Sequence, residues 1–256
     1  MVATLEQLHQ AIGDLQKKTA DLTHDLRQVL AEYLKVLGQS TEKQLILSGF
    51  HLCTQVYPEA FLQRSVSERE ALQRNIRQLG HQLVGSLTNV QQPLQELEFQ
   101  DKLDPTVLLE LWETIEDEMI EQIRCGSRQL NQLLQDAHVM EIKSLDKLLE
   151  MAEKAEEQGR TVTNPPHLLK ALIDPKDSNE DDLDPVVAVY LQIGDLEFTN
   201  PELMGWRQKL RPILQKLSQI QQAHAQKEEE KLTAEATAAW KSTWIAEDSP
   251  FNGQID

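Results

Sequence analysis

Six carboxylates crowd the stretch ELWETIEDEMIE: Glu110, Glu113, Glu116, Asp117, Glu118 and Glu121. Acids at that density can bridge metal ions, relay protons or simply face water, and helical phase separates these cases. Leu108, Leu111, Trp112, Ile115, Met119 and Ile123 recur as one apolar stripe. Glu110, Glu113, Asp117 and Glu121 recur at spacings of three and four on another face, so they point away from the seam. A carboxylate-bridged metal site in a helical bundle needs inward Glu residues and a Glu-x-x-His pair from each of two helices. This chain has one such spacing, Glu6 to His9, beside the seam at its first turn. No metal or other cofactor is expected. Like charges at i, i+4 repel by a few tenths of a kcal/mol, which is offset where a base faces them. Arg124, Arg128 and Lys147 of the chain, or a basic partner, would supply that base.

Nucleophilic and phosphate chemistry find no motif. There is no Gly-x-Ser-x-Gly elbow, and GRTVTNPP lacks the Lys and second Gly of a phosphate loop. His51 and Cys53 stand two apart and so diverge around a helix, which argues against shared ligation. The two cysteines, Cys53 and Cys125, have no CxxC or finger spacing and read as small semi-buried side chains in a reducing compartment. The segment LTAEATAAWKSTWIAEDSPF differs from the rest. Trp240 and Trp244 stand one helical turn apart with Ile245 alongside, after a charged run that cannot bury itself. Large aromatics in such a setting act as anchors, in a pocket of the chain itself or of a partner.

The elements that position these residues follow from composition. The chain has 256 residues, 5% aromatics, few Gly or Pro and 28 Gln, which suits long helices with aliphatic seams and amide-rich outer faces. The net charge is −17, and residues 101–200 carry most of it, with 23 acids against 9 bases. That field repels phosphate backbones and anionic headgroups and favours basic partners. The basic residues Arg69, Arg74 and Arg77 have no aromatics interleaved, so nucleic acid is not an expected partner. No window approaches the ~18–20 uninterrupted apolar residues of a membrane span. Met1–Gln10 has no basic start and apolar block, which predicts a cytoplasmic protein.

Leu5, Leu8, Ile12, Leu15, Thr19, Leu22, Leu26, Val29, Tyr33 and Val36 alternate at three and four, a heptad seam with one polar lapse. It predicts knobs-into-holes packing, within one chain or between two copies as a homo-oligomer. Gly38 then predicts a stop, with Ser40 or Thr41 capping a second, highly buried helix to Tyr57. Ser67 and Glu70 predict the capping box of a third helix, antiparallel to the first, with Val66 stapled against Ala71. Four Asx-Pro pairs, at Pro105, Pro165, Pro185 and Pro201, predict helix starts. The first opens a pattern reaching Gly159, continuous or bent near Lys143 and Ser144. Pro212 predicts a kink or the true start of the last helix, and no strand is expected.

The fold class is therefore all-α: an elongated antiparallel bundle or coiled-coil front and a smaller Pro-punctuated helical back half. Residues 1–100 form the heptad-rich hairpin, 101–160 a long acidic helix joining the halves, 161–245 a C-terminal helical region and 246–256 a flexible tail. The expected function is that of a non-catalytic cytosolic adaptor or scaffold. Its protein partners, with basic or apolar surfaces, would dock on Glu110, Glu113, Asp117 and Glu121 and on Trp240, Trp244 and Ile245. An assembly chaperone shielding a basic or apolar client would use the same surfaces, and a helical-bundle metal or cofactor enzyme is the remaining alternative.

Overall fold

A computed structural model describes residues 4–97, 103–141, 145–158, 167–172 and 185–243. The elements are α1 (Leu5–His51), a π-helical turn (Leu52–Val56), α2 (Pro58–Leu62), α3 (Val66–Asn89), α4 (Gln92–Glu96), α5 (Pro105–Asp136), α6 (Leu145–Glu157), β1 (Leu168–Leu172), β2 (Pro185–Val189), α7 (Ile193–Thr199) and α8 (Pro201–Thr243). Among the described residues the chain is all-α apart from one two-stranded sheet. No helix among the described residues is long and apolar enough to cross a membrane.

The chain divides into two compact units. The first gathers Met1–Leu26, Glu98–Glu110 and Pro212–Asp256. Here α1 and α8 run antiparallel: Leu15 and Leu22 share a groove with Lys216 and Ile220, and Leu8 shares one with Gln226, Thr233 and Lys241. Leu8, Ile12, Leu26, Leu103, Leu108 and Leu217 are buried in this unit. The polar lapse in the seam is accommodated locally, because the buried Thr19 hydroxyl donates to the Leu15 carbonyl at 3.0 Å and leaves its methyl in the seam.

The second unit comprises Arg27–Leu97 and Leu111–Arg211. Gly38 does not end α1. The helix runs on to His51, and its Gly38 lets the Val84 backbone approach a Cβ position to 3.4 Å. Thr41, an expected cap, instead donates from its buried hydroxyl to the Leu37 carbonyl at 2.8 Å, as a threonine inside a helix does. Tertiary contact with α3 outweighs the local stop signal. The same glycine-mediated contacts, Gly38 with Val84, Gly80 with Glu42 and Gly49 with Ile76, run in opposite chain order and show that α3 is antiparallel to this part of α1. The capping box of α3 lies two residues before the expected one: Ser65 Oγ accepts from the Glu68 N–H and Glu68 Oε2 from the Ser65 N–H. Val66 therefore opens the helix and is exposed rather than stapled.

Two of the four Asx-Pro starts are visible as caps. Asp104 Oδ1 accepts the Thr106 N–H at 2.8 Å, and Asn200 Oδ1 accepts from Glu202 and Leu203. The helix from Pro105 ends at Asp136, where His138 adopts φ 51°, and a separate helix begins at Leu145. Asn164, Pro165, Lys143 and Ser144 lie outside the described residues. Pro212 falls inside α8, which starts at Pro201.

The helix expected from Pro185 is a correction: residues Pro185–Val189 form a strand, paired antiparallel with β1 in the register Leu168↔Val189 and Lys170↔Val187. Val187, Ala188, Val189, Tyr190 and Leu191 are all buried. A buried strand with a free edge would leave its backbone groups without partners. Here side chains from α5 and from Tyr57, between the π turn and α2, take the place of a third strand. At Val187 the Tyr57 hydroxyl donates to the carbonyl and accepts the N–H, at Val189 Asn131 bonds both groups, and at Leu191 Ser127 Oγ accepts the N–H at 2.9 Å. Ser127 and Asn131 stand one turn apart on α5, matching alternate residues of the strand.

Candidate functional site

Helix α5 has two faces. Trp112, Ile115, Met119, Ile123, Leu130 and Leu134 are buried in the second unit, as the apolar spacing predicts. Glu113, Asp117, Glu118 and Glu121 are exposed on the outer side. Glu110, also exposed, precedes them on the same helix and belongs to the first unit. Arg128 supplies one of the expected bases: Nη1 bonds Glu121 Oε1 at 2.9 Å and Nη2 bonds Glu153 of α6. Gln122 donates to Glu118 at 2.6 Å. Glu113 and Asp117 have no hydrogen bond or ion pair among the described residues.

Part of the Trp-bearing segment lies within the described residues. Trp240 lies in the last turns of α8 and is 66% exposed, and Leu232 two turns earlier is 67% exposed. Every residue from Glu235 to Thr243 is exposed. Trp244 and Ile245 lie outside the described residues. The acids thus lie on the outer face of α5, and Trp240 lies on α8.

Sequence reasoning missed a buried ionic cluster in the second unit. Tyr33 of α1 is wholly buried and donates to Glu197 Oε1 of α7 at 2.8 Å. Arg207 of α8 reaches Glu197 with Nε at 3.5 Å and Glu116 of α5 with Nη2. The signal available was a tyrosine at a heptad core position, since a buried phenol needs a partner for its hydroxyl. A cavity of about 250 Å³ adjoins the cluster, lined also by Met119, Ile123, Gln192 and Gly194. Burial, and then the neighbouring Glu197 carboxylate, push the Tyr33 phenol well above its ordinary range. A phenol so held keeps its proton and serves as a donor, not as a general base. The guanidinium divides its donors between two carboxylates, and with Tyr33 it ties four helices together. Among the described residues no group of three or more His, Cys, Asp or Glu side chains is placed to hold a metal ion.

No protein-family model, curated protein or solved structure matches this chain.

Proposed function

We propose that this chain is a non-catalytic adaptor or scaffold that binds protein partners with basic surfaces through the outer face of α5. Its C-terminal Trp240, Trp244 and Ile245 act as a second, apolar anchor. The observation that supports this reading is the state of Glu113 and Asp117. They are exposed, one turn apart and without partners among the described residues, on a helix whose opposite side is buried in the core. Like charges in that arrangement cost a few tenths of a kcal/mol, and a basic ligand removes the cost. The exposure of residues 235–243 among the described residues supports the anchor, because a large exposed aromatic such as Trp240 is suited to packing on a partner.

The test is binding of an oligo-lysine peptide by titration calorimetry at low and high salt. Replacing Glu113→Gln and Asp117→Asn should weaken binding roughly tenfold, as for charge pairs at a protein interface. The control pair Asp14→Asn and Asp25→Asn, also exposed, should change it little. Equal losses in both would show diffuse charge attraction and remove the docking face. For the anchor, Trp240→Ala with Trp244→Ala should abolish partner capture and leave the melting temperature unchanged. A large fall in melting temperature would show that the segment packs on its own chain.

A further inference from the structure

One surface of the second unit has the opposite character to the acidic face. The end of α1, α2 and the start of α3 enclose an apolar groove of about 350 Å³. Ile46 and Cys53 line it from the α1 side, Leu72 and Ile76 from α3, with Phe50 and Phe61 as its aromatic walls. Phe50 is 61% exposed, and Leu47, Leu62 and Val66 nearby are also exposed. Four large apolar side chains stand exposed within twenty residues of chain, and Phe50 among them walls the groove. The groove is preformed. The π turn at Leu52–Val56 rephases the chain beside it, a feature frequent at functional sites, and Tyr57 pins that turn to the Val187 backbone.

Its rim is basic in a chain of net charge −17. Arg77 lines the groove and the Arg69 guanidinium lies 5.9 Å from the centre of the Phe61 ring. Positions 69, 73 and 77 recur every fourth residue of α3, alongside Leu72 and Ile76. Arg64 and Arg74 flank them. None of the four arginines makes an ion pair among the described residues, and the Nε atoms of Arg64 and Arg69 are buried without an acceptor. The neighbouring acids are partly committed: Glu68 closes the α3 capping box and Glu42 pairs with His81 at 2.9 Å, leaving Glu59 and Glu70. A second copy docked face to face would set arginine against arginine, which is costly. The charge calls for an acidic occupant and the groove for an apolar one.

We propose that this groove is a docking site for an acidic segment of a partner protein, which inserts a large apolar side chain beside Cys53 while its carboxylates reach Arg69 and Arg77. The surface is separate from the α5 face and does not depend on it.

The probe is a fluorescein-labelled synthetic helical peptide of Glu and Leu with one central Trp, followed by anisotropy with the full chain. The overall negative charge repels such a peptide, so binding requires a local site. We expect saturable binding, roughly tenfold weaker with Arg69→Gln plus Arg77→Gln, with Phe50→Ala, and with the peptide's Trp replaced by Ala. Bound peptide should also slow maleimide modification of Cys53 but not of Cys125. Binding that survives all three changes, or leaves Cys53 unprotected, overturns the proposal. Two other outcomes reassign the groove and also overturn it. One is a dimer in light scattering that dissociates on Phe50→Glu, which gives the groove to a second copy. The other is faster Cys53 modification on deleting residues 244–256, which gives it to the chain's own C-terminal segment.

Discussion

The Asn131 carboxamide holds both backbone groups of Val189: Oδ1 accepts the N–H at 2.8 Å and Nδ2 donates to the carbonyl at 2.8 Å. Both residues are wholly buried, so neither group has water to fall back on. Asn131→Leu leaves a buried donor and a buried acceptor unmet, at about 1–3 kcal/mol each. Urea unfolding should therefore show a loss of about 2–5 kcal/mol. Asn131→Asp keeps the acceptor but loses the donor and buries a charge, and it should be comparably damaging at neutral pH. A loss below about 1 kcal/mol for both would mean that the strand edge is satisfied in another way.

Two glycines in helices should respond to alanine with opposite signs. At Gly126 an added Cβ would stand 2.7 Å from Leu83 Cδ2, and Leu83 is itself buried among core neighbours. Overpacking of that kind costs about 1–3 kcal/mol, against a gain in helix propensity of up to about 1 kcal/mol, so Gly126→Ala should destabilise. Gly85 is exposed with nothing within 4 Å of its added Cβ. There the propensity gain stands alone, and Gly85→Ala should raise stability by about 0.5–1 kcal/mol. Thermal unfolding of the two variants checks both signs, and Leu83→Ala should relieve part of the Gly126→Ala defect.

Tyr33 predicts how the second unit responds to alkali. Burial and the Glu197 carboxylate raise its folded-state pKa far above the unfolded value of about 10. The stability this confers is present in full below pH ~10 and is lost as pH rises beyond it, because only the unfolded chain then releases the proton. Tyr57, raised mainly by burial, and Cys53, pushed up to about 11 by burial, act in the same direction, Cys53 from pH ~9 upward. Tyr33→Phe should lower stability at pH 7 by about 1–3 kcal/mol, through the lost hydrogen bond to the buried Glu197 carboxylate, and should flatten the decline above pH 10. An unchanged alkaline slope would place the titrating group elsewhere.

These residues also show what the sequence carried. The apolar stripe and acidic face of α5 and the caps at Asp104 and Asn200 were legible because each depends on spacing within one helix. The strand at Pro185 was not. Its Asp-Pro start imitated a helix cap, while the run PVVAVYL, short and rich in β-branched residues, has no period of two to betray a strand buried on both faces. Its edge partners Tyr57, Ser127 and Asn131 come from distant parts of the chain, and no local rule joins them. The same holds for Tyr33, Glu197, Arg207 and Glu116. The basic rim was visible as Arg69, Arg74 and Arg77, but its aromatic companions Phe50 and Phe61 join it only in the fold.

His167 predicts how the second unit responds to acid. It stands at φ 68°, just before β1, with its side chain buried and both ring nitrogens without a hydrogen-bond partner in the structure. Burial lowers its pKa below the ordinary 6.5, and the Asp195 carboxylate opposes that only in part. The folded chain then keeps the ring neutral where the unfolded chain protonates it. The contribution is present above pH ~6.5 and is lost as pH falls below it, by at most about 1.4 kcal/mol per pH unit. Asn tolerates positive φ and does not titrate in this range, so His167→Asn removes the slope without adding backbone strain. Stability measured from pH 8 to pH 5 should fall less steeply in the variant than in the parent. Parallel curves would show that His167 finds a proton acceptor in the folded chain and that the acid response arises at another group.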